Sequence, residues 1–294
     1  MKIALIGANG QLGSDLAKVL RPDHDLIPLT HADIEITDRA SVEAMLQTRR
    51  PDLVMNMAAF HKVDACEEQV ELTFAVNTYG VRNLALACHA YGAALLHMSS
   101  DYVFGGDKTR ATPYVETDSP APINVYGVAK LAGEYFVRYL MDRYFILRVT
   151  GLYGVAGSSG KGGNFVELML RLAKEGKPIR VVDDQCMTPT YTIDLARQIA
   201  ALIEAQHYGL YHATSQGSCT WHEFAAEIFR QSGLASNLSK AKTGDFGEKA
   251  TRPAYSVLEN QALQSIGLDR MRPWQEALAA YLAERQQVRE QKGN

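Results

Sequence analysis

Short apolar runs alternate with amphipathic stretches through the first half of the chain, the pattern of repeated strand–helix units. KIALIG (2–7), DLIPLT (25–30), LVMNMA (53–58), ALLHMS (94–99) and FILRVT (145–150) are apolar nearly throughout. That predicts parallel strands covered on both faces. Between them, Leu12, Leu16, Val19 and Leu20 share one helical face, as do Val42, Met45 and Leu46. Phe74, Val81, Leu84 and Leu86 run along a longer helix. After residue 150 the texture changes. GLYGVAGSSGKGGNF (151–165) holds six glycines in fifteen residues, so it predicts a loop. A helix over 165–175, a strand at PIRVVDD (178–184), a helix opened by Asp194 and a strand at GLYHAT (209–214) follow. Thr220 is placed to cap the helix of TWHEFAAEIFRQSG and Gly233 to end it.

Composition narrows the partners. The chain has 294 residues, 47% hydrophobic and 21% charged, with a formal charge of −3. Such a balance gives no reason to expect a nucleic acid as partner. No apolar run approaches the ~20 residues needed to span a bilayer, and the brief apolar stretch at the N-terminus is too short for a signal peptide. Cys66, Cys88, Cys186 and Cys219 form no CxxC pair, so they read as reduced, mostly buried thiols. The eight histidines lack metal-ligand spacing, so no metal is expected. Together these predict a cytoplasmic protein that does not bind membranes.

The candidate chemistry begins where the first strand ends. Gly7, Gly10 and Gly13 form GxxGxxG at the opening of a helix. There glycines let the backbone approach a pyrophosphate and the helix N-terminus favours its charge. The second strand ends in Leu29-Thr30-His31, with neither the carboxylate that suits NAD nor the arginine that suits NADP, so either NADPH or NADH fits. Ser99, Ser100 and Asp101 end the fourth strand, where a parallel sheet places its ligands. Tyr126 and Lys130 are four apart on a helix whose apolar positions are Val128, Leu131, Ala132, Tyr135 and Phe136. A nearby ammonium lowers a phenol's pKa, so Tyr126 reads as a proton donor tuned by Lys130, with Ser100 steadying an oxyanion. Trp221 and Trp274 read as core.

These motifs resemble the extended branch of the short-chain dehydrogenase/reductase superfamily. The segments NMAAFHKVDACEEQVELTFAVNTYGVRNLA, SSDYVF, NVYGVAKLAGE, PTYTIDLA and RPAYSVLENQAL narrow the resemblance to the dTDP-4-dehydrorhamnose reductase family. It implies an α/β fold: a doubly wound parallel Rossmann sheet (1–150 and about 188–214) with a small C-terminal substrate-binding lobe (about 151–187 and 215–294). It also implies a reductase acting on the 4-keto group of a nucleotide sugar. Gly10, Gln11 and Leu12 would lie on the cofactor phosphates, Glu35 and Ile36 beside the adenine, and Ala58, Ala59 and Phe60 along the cofactor. Lys130 would hold the nicotinamide ribose and Tyr126 would give the proton. Ser100, Asp101, Asn164 and Arg252 would meet the substrate, and GKGGNF, with Lys161 and Asn164, would cover it. Homodimer formation is left open.

The chain departs from the family pattern at Gly151, where several relatives carry a tryptophan that stacks on the sugar. Tyr102 replaces the glutamate that related dehydratases use as a base, which argues against dehydration. An epimerase is excluded less firmly. So is a non-catalytic NADP-binding regulator resembling the regulatory subunit of methionine adenosyltransferase, although retention of Tyr126 and Lys130 points to an enzyme.

Overall fold

The computed structural model describes residues 1–156 and 163–293. Five strands come in the first half: β1 (Lys2–Ile6), β2 (Asp25–Leu29), β3 (Leu53–Asn56), β4 (Ala94–Ser100) and β5 (Tyr144–Val149). A sixth, β6 (Gly209–His212), completes one sheet in the order β6-β5-β4-β3-β1-β2, parallel throughout. The order reverses at β1 and β3, and the crevice beyond their carboxyl ends is where an open parallel sheet takes its ligands.

Both faces are covered, which is why β1, β3, β4 and β5 are apolar without alternation. On one face α1 (Gln11–Leu20) and α6 (Thr192–Ala205) pack against each other. They bury Leu12, Leu16, Leu195 and Ile199 over Ile3, Leu5 and Leu96. On the other lie α2 (Arg39–Arg49), α3 (Val81–Tyr91) and α4 (Val125–Leu140). Asp38 caps α2 through the Ala40 amide, and a π-helical turn at Ala75–Gly80 joins α3 to the helix before it. Asp194 lies within the first turn of α6, which opens at Thr192.

The elements falling in the stretches expected to form a lobe are α5 (Phe165–Lys174), α7 (Trp221–Ser232), α8 (Trp274–Gly293) and a parallel strand pair, Pro178–Val182 with Asn237–Ala241. Thr220 and Glu223 form a reciprocal cap on α7, and Gly233 ends it with φ +65°. Both match the sequence expectation. Tyr153, Met169, Phe224, Ile228, Trp274 and Tyr281 belong to one hydrophobic cluster among these elements.

One helix departs from expectation. The buried residues of α4 are Gly127, Ala129, Lys130, Gly133, Glu134 and Val137, whereas Val128, Tyr135 and Tyr139 are exposed. Of the expected apolar positions Val128 and Tyr135 therefore point outward while Leu131, Ala132 and Phe136 are half-buried, and the most buried face carries small residues, Val137 and two charges. Glycine on that face permits close approach: a Cβ at Gly133 would stand 2.5 Å from the Asn77 carbonyl oxygen.

Candidate active site

The site is a cleft of about 1060 Å³ running from the glycine turn to the lobe. Its first half is a cradle. Gly7 has φ +79° and donates its amide to the Leu29 carbonyl at 2.8 Å, and the Gly10 amide donates to the Gly7 carbonyl at 3.0 Å. A Cβ on Gly13 would lie 2.2 Å from that same carbonyl oxygen, so α1 can start here only with glycine. Gly10, Gln11, Leu12 and Gly13 line the cleft, where the first-turn amides of α1 remain open to a ligand and carry the positive end of the helix dipole. A tight glycine turn that brings the start of a helix to the cleft suits a pyrophosphate.

Glu35, Ile36, Ala58, Ala59 and Phe60 line the same cleft. The Glu35 carboxylate accepts from the amide and hydroxyl of Thr37 at 2.9 and 2.8 Å, bonds that hold its pKa below the ordinary value. The Ala58 amide donates to Asn56 Oδ1, and Asn77 brackets Phe60 by accepting from its amide and donating to its carbonyl. These bonds fix the wall along β3's end.

At the centre, Asn124 caps α4 through the Gly127 amide at 2.8 Å. A Cβ at Gly127 would come within 2.0 Å of the Tyr102 carbonyl oxygen, so α4 lies directly on the turn after β4. That contact brings Tyr126 and Lys130 beside Ser100, Asp101 and Tyr102, all of which line the cleft. Lys130 is 2% exposed and donates to the Met98 carbonyl. Burial pulls its pKa down to about 8, against the pull of Glu134. The Asp101 carboxyl is pushed up to about 6 by burial, opposed by hydrogen bonds with Ser256, Thr150 and Ser100.

Tyr126 corrects one expectation. Burial pushes its phenol above the ordinary value, the Asp101 charge adds to this, and a hydrogen bond with Ser100 is what opposes it. Lys130 does not lower the Tyr126 pKa here, because its ammonium is turned to the Met98 carbonyl.

Behind these residues is a network that the sequence reading missed. The Glu134 carboxylate accepts from Ser99 and, at both oxygens, from Arg148 (2.9 and 2.7 Å). Arg148 lies 5.0 Å from the centre of the Phe104 ring. Glu134 and Arg148 are 0% and 1% exposed. The available signal was a glutamate four residues after Lys130, on the same helical face.

The substrate half is mixed. Gly151 lines the cleft with φ +57°, and a Cβ there would press on Met187 and Pro189. Asn164 also lines it, but its side chain is engaged. It caps α5 through the Glu167 amide and donates to the Gly154 carbonyl and Gln11 Oε1. Arg252 does not line the cleft; it pairs with Asp64 at 3.0 Å and Glu248 at 2.7 Å. Lys161 lies outside the described residues. Trp274 is core, 6% exposed. Trp221 packs against the same cluster but is only half-buried, and with Phe165, Leu168 and Arg171 it also walls the cleft.

The sequence matches the family described as "RmlD substrate binding domain" over residues 1–287. It is 40% identical to the spore coat polysaccharide biosynthesis protein SpsK of Bacillus subtilis, over 97% of this chain and 98% of that one. It is also 40% identical to the dTDP-4-dehydrorhamnose reductase of Streptomyces griseus, over 92% and 90%. The crystal structure of dTDP-4-dehydrorhamnose reductase from Bacillus anthracis, in complex with NADP, superposes with a TM-score of 0.91 at 41% identity, covering 97% of this chain and all of the other. With its parallel sheet, glycine cradle and paired Tyr126 and Lys130, the chain belongs to the RmlD family, the family of the dTDP-4-dehydrorhamnose reductases.

Proposed function

We infer that this protein is an NAD(P)H-dependent oxidoreductase that reduces the 4-keto group of dTDP-4-dehydro-6-deoxy-L-mannose, giving dTDP-L-rhamnose. One observation carries the reading: in a member of this family, Tyr126, Lys130 and Ser100 meet in one cleft with the glycine cradle. NADPH is the expected donor, supported by the NADP bound to the B. anthracis relative; the end of β2 carries no acidic side chain that would exclude it. Gly10, Gln11 and Leu12 would hold the pyrophosphate, Glu35 and Ile36 the adenine end, and Ala58 to Phe60 the stretch toward the nicotinamide.

The reduced nicotinamide supplies a hydride to the carbonyl carbon of the sugar. The protein's own work is at the oxygen. Ser100 and Tyr126 donate hydrogen bonds to the carbonyl as negative charge develops on it. The Tyr126 O–H bond then breaks, its proton passes to that oxygen, and the phenolate is reprotonated from water. A phenol held above its ordinary pKa is fully protonated at neutral pH, which suits a donor in the reductive direction. Lys130, with one proton engaged by Met98, keeps two donors for the nicotinamide ribose.

The division into a Rossmann domain and a lobe, with the boundaries given above, is part of this reading. So is a cytoplasmic location, supported by four free cysteines. Among the described residues no helix is long and apolar enough to cross a membrane. A homodimer is supported by the exposed large side chains of α4, Val128, Tyr135 and Tyr139. The test of the activity is a coupled assay with the dTDP-4-keto sugar and NADPH or NADH in parallel. Consumption of reduced nicotinamide with formation of dTDP-L-rhamnose is expected. No turnover alongside tight NADP binding would point instead to a binding protein.

A further inference from the structure

Lys130 is an ammonium in an environment that disfavours its charge. It is 2% exposed, and one uncharged acceptor, the Met98 carbonyl, receives its proton. Four residues on, Glu134 shares its helical face and is fully buried. Arg148 holds both oxygens of Glu134 from β5, and Ser99 donates to one of them from β4. Ser99 directly precedes Ser100, which bonds Tyr126. The network thus spans three adjacent elements and lies beside Lys130, one helical turn away on the same face, and next in chain to Ser100.

We propose that Glu134 is a positioning residue for the reduction, a buried counter-charge that Arg148 and Ser99 hold in place to keep Lys130 protonated. The proposal rests on the reading of Lys130 as the residue that holds the nicotinamide ribose. The other charged and titratable groups around Lys130 do not supply this charge. His97, on β4, is buried and neutral, its pKa lowered by burial and by Lys130 itself. Asp101 and Tyr102, on the turn after β4, act on Tyr126 and on each other. Arg148, on β5, is a second cation. Glu67, on the short helix Val63–Glu68, accepts the Val125 amide at the start of α4, and its neighbour Cys66 bears on Tyr126. Arg82, on α3, lies 5.9 Å from the centre of the Phe136 ring. Removing the carboxylate therefore leaves Arg148 without its ion-pair partner and Lys130 without the buried negative charge on its own helical face.

The experiment is the pH profile of kcat/KM for the full-length enzyme, whose alkaline limb reports deprotonation of Lys130. Glu134→Gln is expected to move that limb down by about one pH unit, the scale of a nearby opposite charge. Glu134→Asp, which keeps the charge, is expected to restore it. Arg148→Met frees the carboxylate from its guanidinium and is expected to move the limb up, an independent arm should Glu134→Gln fold poorly. A limb that stays in place in either folded variant overturns the proposal, as does an equal shift in Glu134→Gln and Glu134→Asp. Lys130→Met separates the two levels: full activity there would refute the role of Lys130 itself, while its loss beside an unmoved limb would refute only the part given to Glu134.

Discussion

A Cβ built on Gly127 would stand 2.0 Å from the carbonyl oxygen of Tyr102, so the helix bearing Tyr126 and Lys130 rests on the turn bearing Asp101 with no side chain between them. The glycine sets the distance between the proton donor and the strand-end serine. Gly127→Ala must push the helix off the turn, at a cost of about 1–3 kcal/mol for overpacking. The melting temperature should fall and kcat should fall more than KM rises. Unchanged kcat in a destabilised variant would separate this contact from catalysis.

Asn164 gives a way to tell a cap from a substrate contact. Its Oδ1 accepts the Glu167 amide at 3.1 Å and its amide group donates to Gly154 at 2.8 Å and Gln11 at 3.2 Å. Asn164→Ala should cost about 1 kcal/mol of stability through the lost cap and raise KM for the cofactor, because Gln11 opens the pyrophosphate helix. Chemical denaturation and initial rates check both. Unchanged stability with only the sugar KM raised would favour a direct substrate role.

Acid should destabilise the fold through buried neutral histidines. His212 has its pKa lowered to about 3, first by burial and then by Arg148, and His97 is lowered well below its ordinary value. For both, the unfolded chain binds more protons below the ordinary histidine pKa of about 6.5. Their contribution is present above that pH and is lost as pH falls beneath it. Each site should lose about 1.4 kcal/mol per pH unit below 6.5. Asp101, raised to about 6, works the other way, since the folded state holds its proton more tightly. One carboxyl offsets two histidines only in part. Urea midpoints should drop between about pH 7.5 and 5.5, and His212→Asn should flatten that drop.

The exposed side chains of α4 make an assembly prediction. Tyr139, 83% exposed, and Tyr135 would be covered in a dimer built on that face. Sedimentation equilibrium should show a dimer for the native chain and a monomer for Tyr135→Glu/Tyr139→Glu, with little change in kcat. A native monomer would remove the proposal.

Much of this was legible in the sequence, for physical reasons. Strands buried on both faces are apolar runs, so β1, β3, β4 and β5 stood out. Gly7, with φ +79°, and Gly13, whose Cβ would stand 2.2 Å from the Gly7 carbonyl oxygen, mark a turn that needs glycine, and Tyr126 and Lys130 show their common face through spacing alone. The failures are also physical. Val128 and Tyr135 read as core because apolar residues usually are, yet α4 turns Lys130 and Glu134 inward to serve the cleft. Glu134 finds Ser99 and Arg148 across 35 and 14 residues of chain, distances at which no local pattern operates. The Lys130 ammonium binds a backbone carbonyl, an acceptor that every residue carries, so its direction could not be read from residue types.

The central claim is that the Tyr126 hydroxyl gives its proton to the oxygen of the reduced carbonyl. Tyr126→Phe deletes that one atom and leaves the ring in place. Steady-state turnover of the dTDP-4-keto sugar should fall by about 10²–10⁴-fold, with NADPH affinity by fluorescence titration unchanged. Full turnover in Tyr126→Phe would contradict the account.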